Sequence, residues 1–190
     1  MDQEEWRFRP IGVIRTPYKE EVGMPIQGAF APGSVGTVEV FPQFEEGLDD
    51  CEGFSHLYLI YVFHQGAGYR LKCTPFRDDR PRGVFATRAP RRPNPIGLTV
   101  VKLERRSGAA LEVRGVDMLD GTPLLDIKPY VPEFDARDNV ATGWLEESHD
   151  RRTADGRFAE RWPGQLLERG GGVPQAGKRA SGDRGAEDTH

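Results

Sequence analysis

The chain has 190 residues, 37% of them hydrophobic, and a formal net charge of −4. That suits one domain with a real core plus an extension, and it excludes a protein that advertises nucleic-acid binding through overall charge. Two cysteines, Cys51 and Cys73, make neither a metal-ligand spacing nor a C-x-x-C pair, so a reduced, cytoplasmic protein without a metal is expected. The acidic start, Met1-Asp2-Gln3-Glu4-Glu5-Trp6, has no signal-peptide core, and the longest apolar run, 57–63, is too short to cross a bilayer; no membrane partner is expected.

Strand signals dominate in chain order. Residues 36–41 (Gly-Thr-Val-Glu-Val-Phe) alternate with period two, and a short helical stretch is expected around 44–48. Residues 57–63 are continuously apolar and aromatic, which predicts a strand buried on both faces. Two further strands, 83–87 and 98–104, flank an arginine- and proline-rich loop. Residues 106–110 read as a hairpin connection into a strand at 111–114. After Gly115 the apolar positions shift parity to Val116 and Met118, which predicts a bulge at the glycine. A last strand is expected over 124–130. Seven or so short strands punctuated by Gly and Pro argue for a sandwich or barrel. From residue 151 onward, which holds eight of the 23 glycines, the composition changes, and 169–190 has no periodicity; disorder is expected there. Phe158, Trp162, Leu166 and Leu167 could form one or two amphipathic turns that dock.

The loop Arg88-Ala89-Pro90-Arg91-Arg92-Pro93-Asn94-Pro95 is the most informative stretch. Three prolines stiffen it and hold Asn94 in the extended region. Arg88, Arg91 and Arg92 offer planar, permanently charged donors suited to phosphate, carboxylate and base stacking. Residues 70–92 hold eight Lys/Arg against Asp78 and Asp79, a local basic excess within an acidic chain that would steer a polyanion to one face. The alternative is a solvated surface turn. No G-x-G-x-x-G follows a strand, so a dinucleotide-type site is not expected.

Five blocks occur in a particular order: Ile11-Gly12-Val13-Ile14-Arg15-Thr16-Pro17-Tyr18, Gly23-Met24-Pro25-Ile26-Gln27-Gly28, Phe63-His64-Gln65, the stretch from Arg88 to Leu98, and Asp120-Gly121-Thr122-Pro123-Leu124-Leu125-Asp126-Ile127-Lys128-Pro129-Tyr130. Together they resemble the TsaA-like family of tRNA methyltransferases over roughly residues 7 to 146. The resemblance implies a mainly β fold: a small single-sheet antiparallel β-barrel with short helical insertions, spanning 1–146, and a largely disordered, flexible C-terminal extension over 147–190. It further implies S-adenosylmethionine bound without a Rossmann fold, a homodimer, and methylation of N6 of threonylcarbamoyl-adenosine beside the tRNA anticodon. Longer relatives carry an additional C-terminal domain that this chain is expected to lack.

By the same resemblance, the cofactor contacts fall on Pro25, Ile26, Gln27, His64, Gln65, Arg88, Leu98 and the turn Asp120, Gly121, Thr122, Pro123. Gln27 and Gln65 offer donors and acceptors for an adenine or ribose edge, Arg88 can clamp a carboxylate, and Leu98 can pack on the adenine. Many relatives have arginine at the position of Ile26, so only backbone contacts are expected there. Arg91, Arg92 and Asn94 are candidates for binding RNA. Asp126, Lys128 and Tyr130 share one face of a strand. They are the candidates for a base or acceptor-orienting group, an anion partner and a stacking surface; the alternative for Asp126 and Lys128 is a structural ion pair. A non-catalytic RNA-binding barrel, or a methyltransferase or cofactor sensor for a small molecule, are the competing readings.

Overall fold

A computed structural model describes residues 5–156, 162 and 166–168. In chain order the strands are β1 (Gly12–Arg15), β2 (Val35–Val40), β3 (His56–Val62), β4 (Lys72–Cys73), β5 (Arg82–Gly83), β6 (Ile96–Ser107), β7 (Ala110–Arg114) and β8 (Thr122–Pro129). Six of them close into an antiparallel barrel in the order β1-β2-β7-β6-β3-β8, while β4 and β5 form a separate two-stranded ribbon. The barrel closes where Gly12, Val13 and Ile14 pair with Leu124, Pro123 and Thr122. Closure leaves no open sheet edge.

Alternation sets the inside. Along β6, Gly97, Thr99, Val101 and Leu103 are buried while Ile96, Leu98, Val100 and Lys102 face out. With Leu57 and Leu59 of β3, Leu111 and Val113 of β7, Ile14 of β1 and Leu124 of β8, they build a single core. The 3-10 stretch Pro42–Leu48 turns Leu48 inward and covers one end of the barrel.

The strand expected to be buried on both faces is buried on one. Leu57, Leu59 and Tyr61 point in, while His56, Tyr58, Ile60 and Val62 stay half-exposed. A barrel has one interior, so alternate side chains of β3 must face out. The parity change at Gly115 is a strand end rather than a bulge: β7 stops at Arg114, and Gly115, at φ +86°, turns the chain so that Val116 and Met118 cap the core. Register shifts lie instead between Leu103 and Arg105 against β7, and between Ile60 and Tyr61 against β8. The stretch expected as a strand at 83–87 is strand only to Gly83; Val84–Ala86 forms a 3-10 turn closed by Thr87 Oγ1 donating to the Val84 carbonyl at 2.9 Å. Only Val84 there finds a core to enter, and Phe85 remains exposed.

Of the residues after 146, those described run back along the barrel's loops. Thr153 bridges Pro25, Leu167 bridges Tyr69, and the Ala154 amide donates to the Met24 carbonyl at 2.8 Å. Ala154 and Trp162 are buried. The rest of the expected extension, 157–161, 163–165 and 169–190, lies outside the described residues, as does Phe158 of the expected amphipathic turns.

Candidate functional site

One cleft of about 830 Å³ gathers the segments singled out by the sequence. Its first wall is the loop 24–30. Pro25 is buried there, and the Gly28 amide donates to Asp117 Oδ2 at 2.7 Å. A side chain at Gly28 would collide with the Gly115 carbonyl, so only glycine lets these two backbones meet. Its second wall is the arginine loop, braced from within by Arg92 Nη1 donating to the carbonyls of Thr87 (3.1 Å) and Ala89 (3.4 Å). Arg88 Nη1 crosses between the walls to Gln27 Oε1 at 2.7 Å. The end of β3 and the outer edge of β6 supply His64, Gln65, Ile96 and Leu98. Trp144, Ala154 and Trp162 from the end of the chain line it as well. Arg91 stacks over the Trp162 ring at 5.3 Å, and Arg77 and Arg152 lie over Phe30 at 5.5 and 5.6 Å. Such stacking holds a guanidinium in place without neutralising it.

Beneath the cleft lies a polar row. Tyr61 Oη sits 3.2 Å from Thr99 Oγ1, which is 2.6 Å from Asp117 Oδ1. Gly97 makes room for it, because any side chain there would overlap the Tyr61 ring. Burial raises the Asp117 pKa, opposed by the hydrogen bonds from Thr99 and Gly28 and by the charge of Arg88. Desolvation lowers the pKa of His64, partly offset by a hydrogen bond to the Val62 backbone, so its imidazole is neutral at pH 7. Burial pushes Glu21 up, with Arg91 acting against it.

The structure brings together Pro25, Ile26, Gln27, His64, Gln65, Arg88, Leu98 and Thr122 with Arg91 and Arg92 around this cleft. Asp120, Gly121 and Pro123 stand just behind it. Asp120 accepts from the Thr16 amide at 3.0 Å and pairs with Lys19 at 2.6 Å, which fixes the turn that aims Thr122 at the cleft. Asn94 is exposed and lies outside the cleft wall. Asp126, Lys128 and Tyr130 also lie outside it, on the outer side of β8. Lys128 pairs with Asp126 at 2.8 Å, and the Tyr130 ring meets Tyr58 edge-on at 5.6 Å.

Sequence reasoning passed over Tyr61, Gly97, Thr99, Asp117, Trp144 and Trp162. For Asp117 a signal existed: it is the one charge in the apolar run Val116-Asp117-Met118-Leu119, where an acid must be buried and therefore bonded. Trp162 was expected only to dock in an amphipathic turn, and nothing local told that it would meet Arg91 or that Trp144 would reach the Ala86 carbonyl.

Residues 13–136 match the family described as the tRNA-methyltransferase O N-terminal domain. A Pyrococcus abyssi protein named "probable S-adenosyl-L-methionine-binding protein" is 54% identical over 169 residues, 85% of this chain and 92% of that one. The mouse protein named tRNA (adenine(37)-N6)-methyltransferase is 40% identical over 139 residues, covering 70% of this chain and 32% of its own. The crystal structure of TrmO from Pseudomonas aeruginosa superposes with a TM-score of 0.63 at 41% identity, covering 74% of this chain and 63% of that one. This chain thus spans somewhat less than two thirds of the TrmO chain and about a third of the mouse protein. With the family match running through most of the barrel, and the cleft built from its segments, the chain belongs to the TrmO, or TsaA-like, family.

Proposed function

We propose that this chain is an S-adenosylmethionine-dependent methyltransferase that methylates N6 of an adenosine beside the anticodon of tRNA, with threonylcarbamoyl-adenosine as the acceptor. The observation that carries the reading is the pairing of one cleft with two chemistries: apolar walls from Leu98, Ile96 and Phe63, and the guanidiniums of Arg77, Arg88, Arg91 and Arg92 around them. The residues fit the methyl donor. The volume lies within the range of small-molecule sites, roughly 300–1,000 Å³. Arg88 can take the donor's carboxylate in exchange for Gln27, Leu98 can cover the adenine, and Gln27 and Gln65 can read its edges. Names of relatives that bind S-adenosylmethionine or methylate tRNA adenine support both donor and acceptor class. The donor supplies a methyl group on a sulfonium; the protein's task is to hold the acceptor nitrogen in line and to take its proton.

In this reading Arg91 faces RNA phosphate on a loop that Arg92 braces, with Asn94 on the outer rim, and Lys128 and Tyr130 extend the surface along β8. The enzyme works as a homodimer in the cytoplasm. Support for the dimer comes from Ile96, Leu98 and Val100, exposed at 43%, 48% and 38% in a row on the outer face of β6. They pair with the half-exposed Val62, Ile60 and Tyr58 of β3 to make one apolar strip beside the cleft. Support for a reducing compartment comes from Cys51 and Cys73, which form no disulfide.

The test is transfer of radiolabelled methyl groups to tRNA with and without threonylcarbamoyl-adenosine, located by nucleoside mass spectrometry. Incorporation confined to the modified tRNA is the expected outcome. Incorporation into unmodified tRNA would replace the acceptor, and calorimetric donor binding without any transfer to RNA would move the enzyme to a small-molecule acceptor.

A further inference from the structure

The row Tyr61–Thr99–Asp117 has a direction that follows from counting protons. Asp117 accepts the Gly28 amide proton at Oδ2. When Asp117 is ionised its Oδ1 has nothing to give, so the single hydroxyl proton of Thr99 goes to it across 2.6 Å. Thr99 Oγ1 can then only accept in its contact with Tyr61, and the Tyr61 phenol is the donor across 3.2 Å. The row therefore runs Tyr61 to Thr99 to Asp117, and its two ends, Tyr61 (3% exposed) and Asp117 (8% exposed), both line the cleft. Protonating Asp117 reverses it: the acid donates to Thr99, Thr99 to Tyr61, and the phenol proton is released toward the cleft.

We propose that this row is the proton exit of the methyl-transfer reaction, with Tyr61 Oη receiving the proton of the acceptor nitrogen and Asp117 holding it. The inference rests on the reading of the chain as an N6-methyltransferase. As the N6 lone pair forms the bond to the methyl carbon, the carbon–sulfur bond breaks and its electron pair stays on sulfur. The N6 proton passes to Tyr61 Oη, the phenol proton to Thr99 Oγ1, and the hydroxyl proton to Asp117 Oδ1. One sulfonium and one carboxylate become one thioether and one carboxylic acid, so charge and protons balance, and Asp117 returns its proton to water after product release.

Glu21 is associated with Arg91 at the arginine-loop side, and His64 reaches Thr122 Oγ1 only at 3.5 Å. The groups facing Asp117 itself are the Gly28 amide from the first wall, Thr99 of β6, Tyr61 of β3 and the Arg88 guanidinium. Burial makes Asp117 a stronger base than a surface carboxylate, opposed by the hydrogen bonds from Thr99 and Gly28 and by the charge of Arg88.

The experiment compares wild type with Thr99→Val, Thr99→Ser and Asp117→Asn. Single-turnover methyl transfer to tRNA is followed across pH, donor affinity is measured by calorimetry, and the protonated-carboxyl infrared band is titrated in donor-free protein. Thr99→Val is expected to slow transfer by about 10²-fold or more while leaving donor affinity unchanged, the scale of a lost proton-transfer partner. Thr99→Ser is expected to restore it. The wild-type rate should rise with pH through the Asp117 titration seen in the infrared, and that limb should vanish in Asp117→Asn. A Thr99→Val protein with wild-type rate and pH profile would overturn the relay and leave the methyltransferase reading standing. Loss of donor affinity in parallel with rate, unrescued by serine, would make the row structural and overturn it too. Wild-type protein inactive on every tRNA would overturn the methyltransferase reading and the relay with it.

Discussion

Asp120 shows how one side chain can hold a cleft it does not line. Its carboxylate is tied to Lys19 and to the Thr16 amide, and these bonds, the Lys19 one first, hold its pKa below the usual carboxylate range. A depressed pKa means stability that is present above the unfolded value and lost as pH falls through the folded one. Lys19 is largely exposed, so its share of the stability is reduced by solvent screening. Between roughly pH 5 and pH 2, wild type should lose about 1 kcal/mol more than Asp120→Asn, read by urea denaturation at each pH. Equal slopes for the two proteins would mean that the turn is held by its backbone alone. Gly97 is the opposite case, a residue whose value lies in having no side chain, since Tyr61 occupies the space a Cβ would need.

At the scale of elements, the arginine loop divides its labour. Arg92 is bonded back to the loop's own carbonyls and serves as a brace, whereas Arg91 lies over the Trp162 ring and acts on the Glu21 carboxyl. Replacing Arg91 with Ala should therefore weaken tRNA binding and lower the salt slope of the affinity by about one, with donor affinity kept. Arg92→Ala should weaken both, because the loop that also carries Arg88 loosens. Filter binding over a salt series together with calorimetry separates the two, and identical behaviour of both variants would refute this division. The loop was legible because proline and arginine act locally: φ restriction and permanent charge need no partner. The polar row below it was largely illegible, since Tyr61, Thr99 and Asp117 come from three elements and meet only when β3 and β6 pair and the chain turns at Gly115.

For the whole molecule, barrel closure settles what is inside, and so what is left for a partner. The outer faces of β3 and β6 present Tyr58, Ile60, Val62, Ile96, Leu98 and Val100 as a continuous strip. Substituting Val100, which stands outside the cleft, with Asp should convert the expected dimer to a monomer in sedimentation equilibrium. A wild-type protein that sediments as a monomer at all concentrations would remove the dimer. By itself the sequence determined the β class, most strand positions, the stiff basic loop and the family, because alternation, proline geometry and motif order are written in neighbouring residues. Only the tertiary structure decided that β3 has a single buried face, that Asp126 and Lys128 pair outside the cleft, that Trp144, Leu145, Ala154 and Trp162 help to wall it, and that a buried carboxylate ends a hydrogen-bonded row beneath it. Each of those depends on which distant segments are brought within a few ångströms, and closing the barrel is what sets those distances.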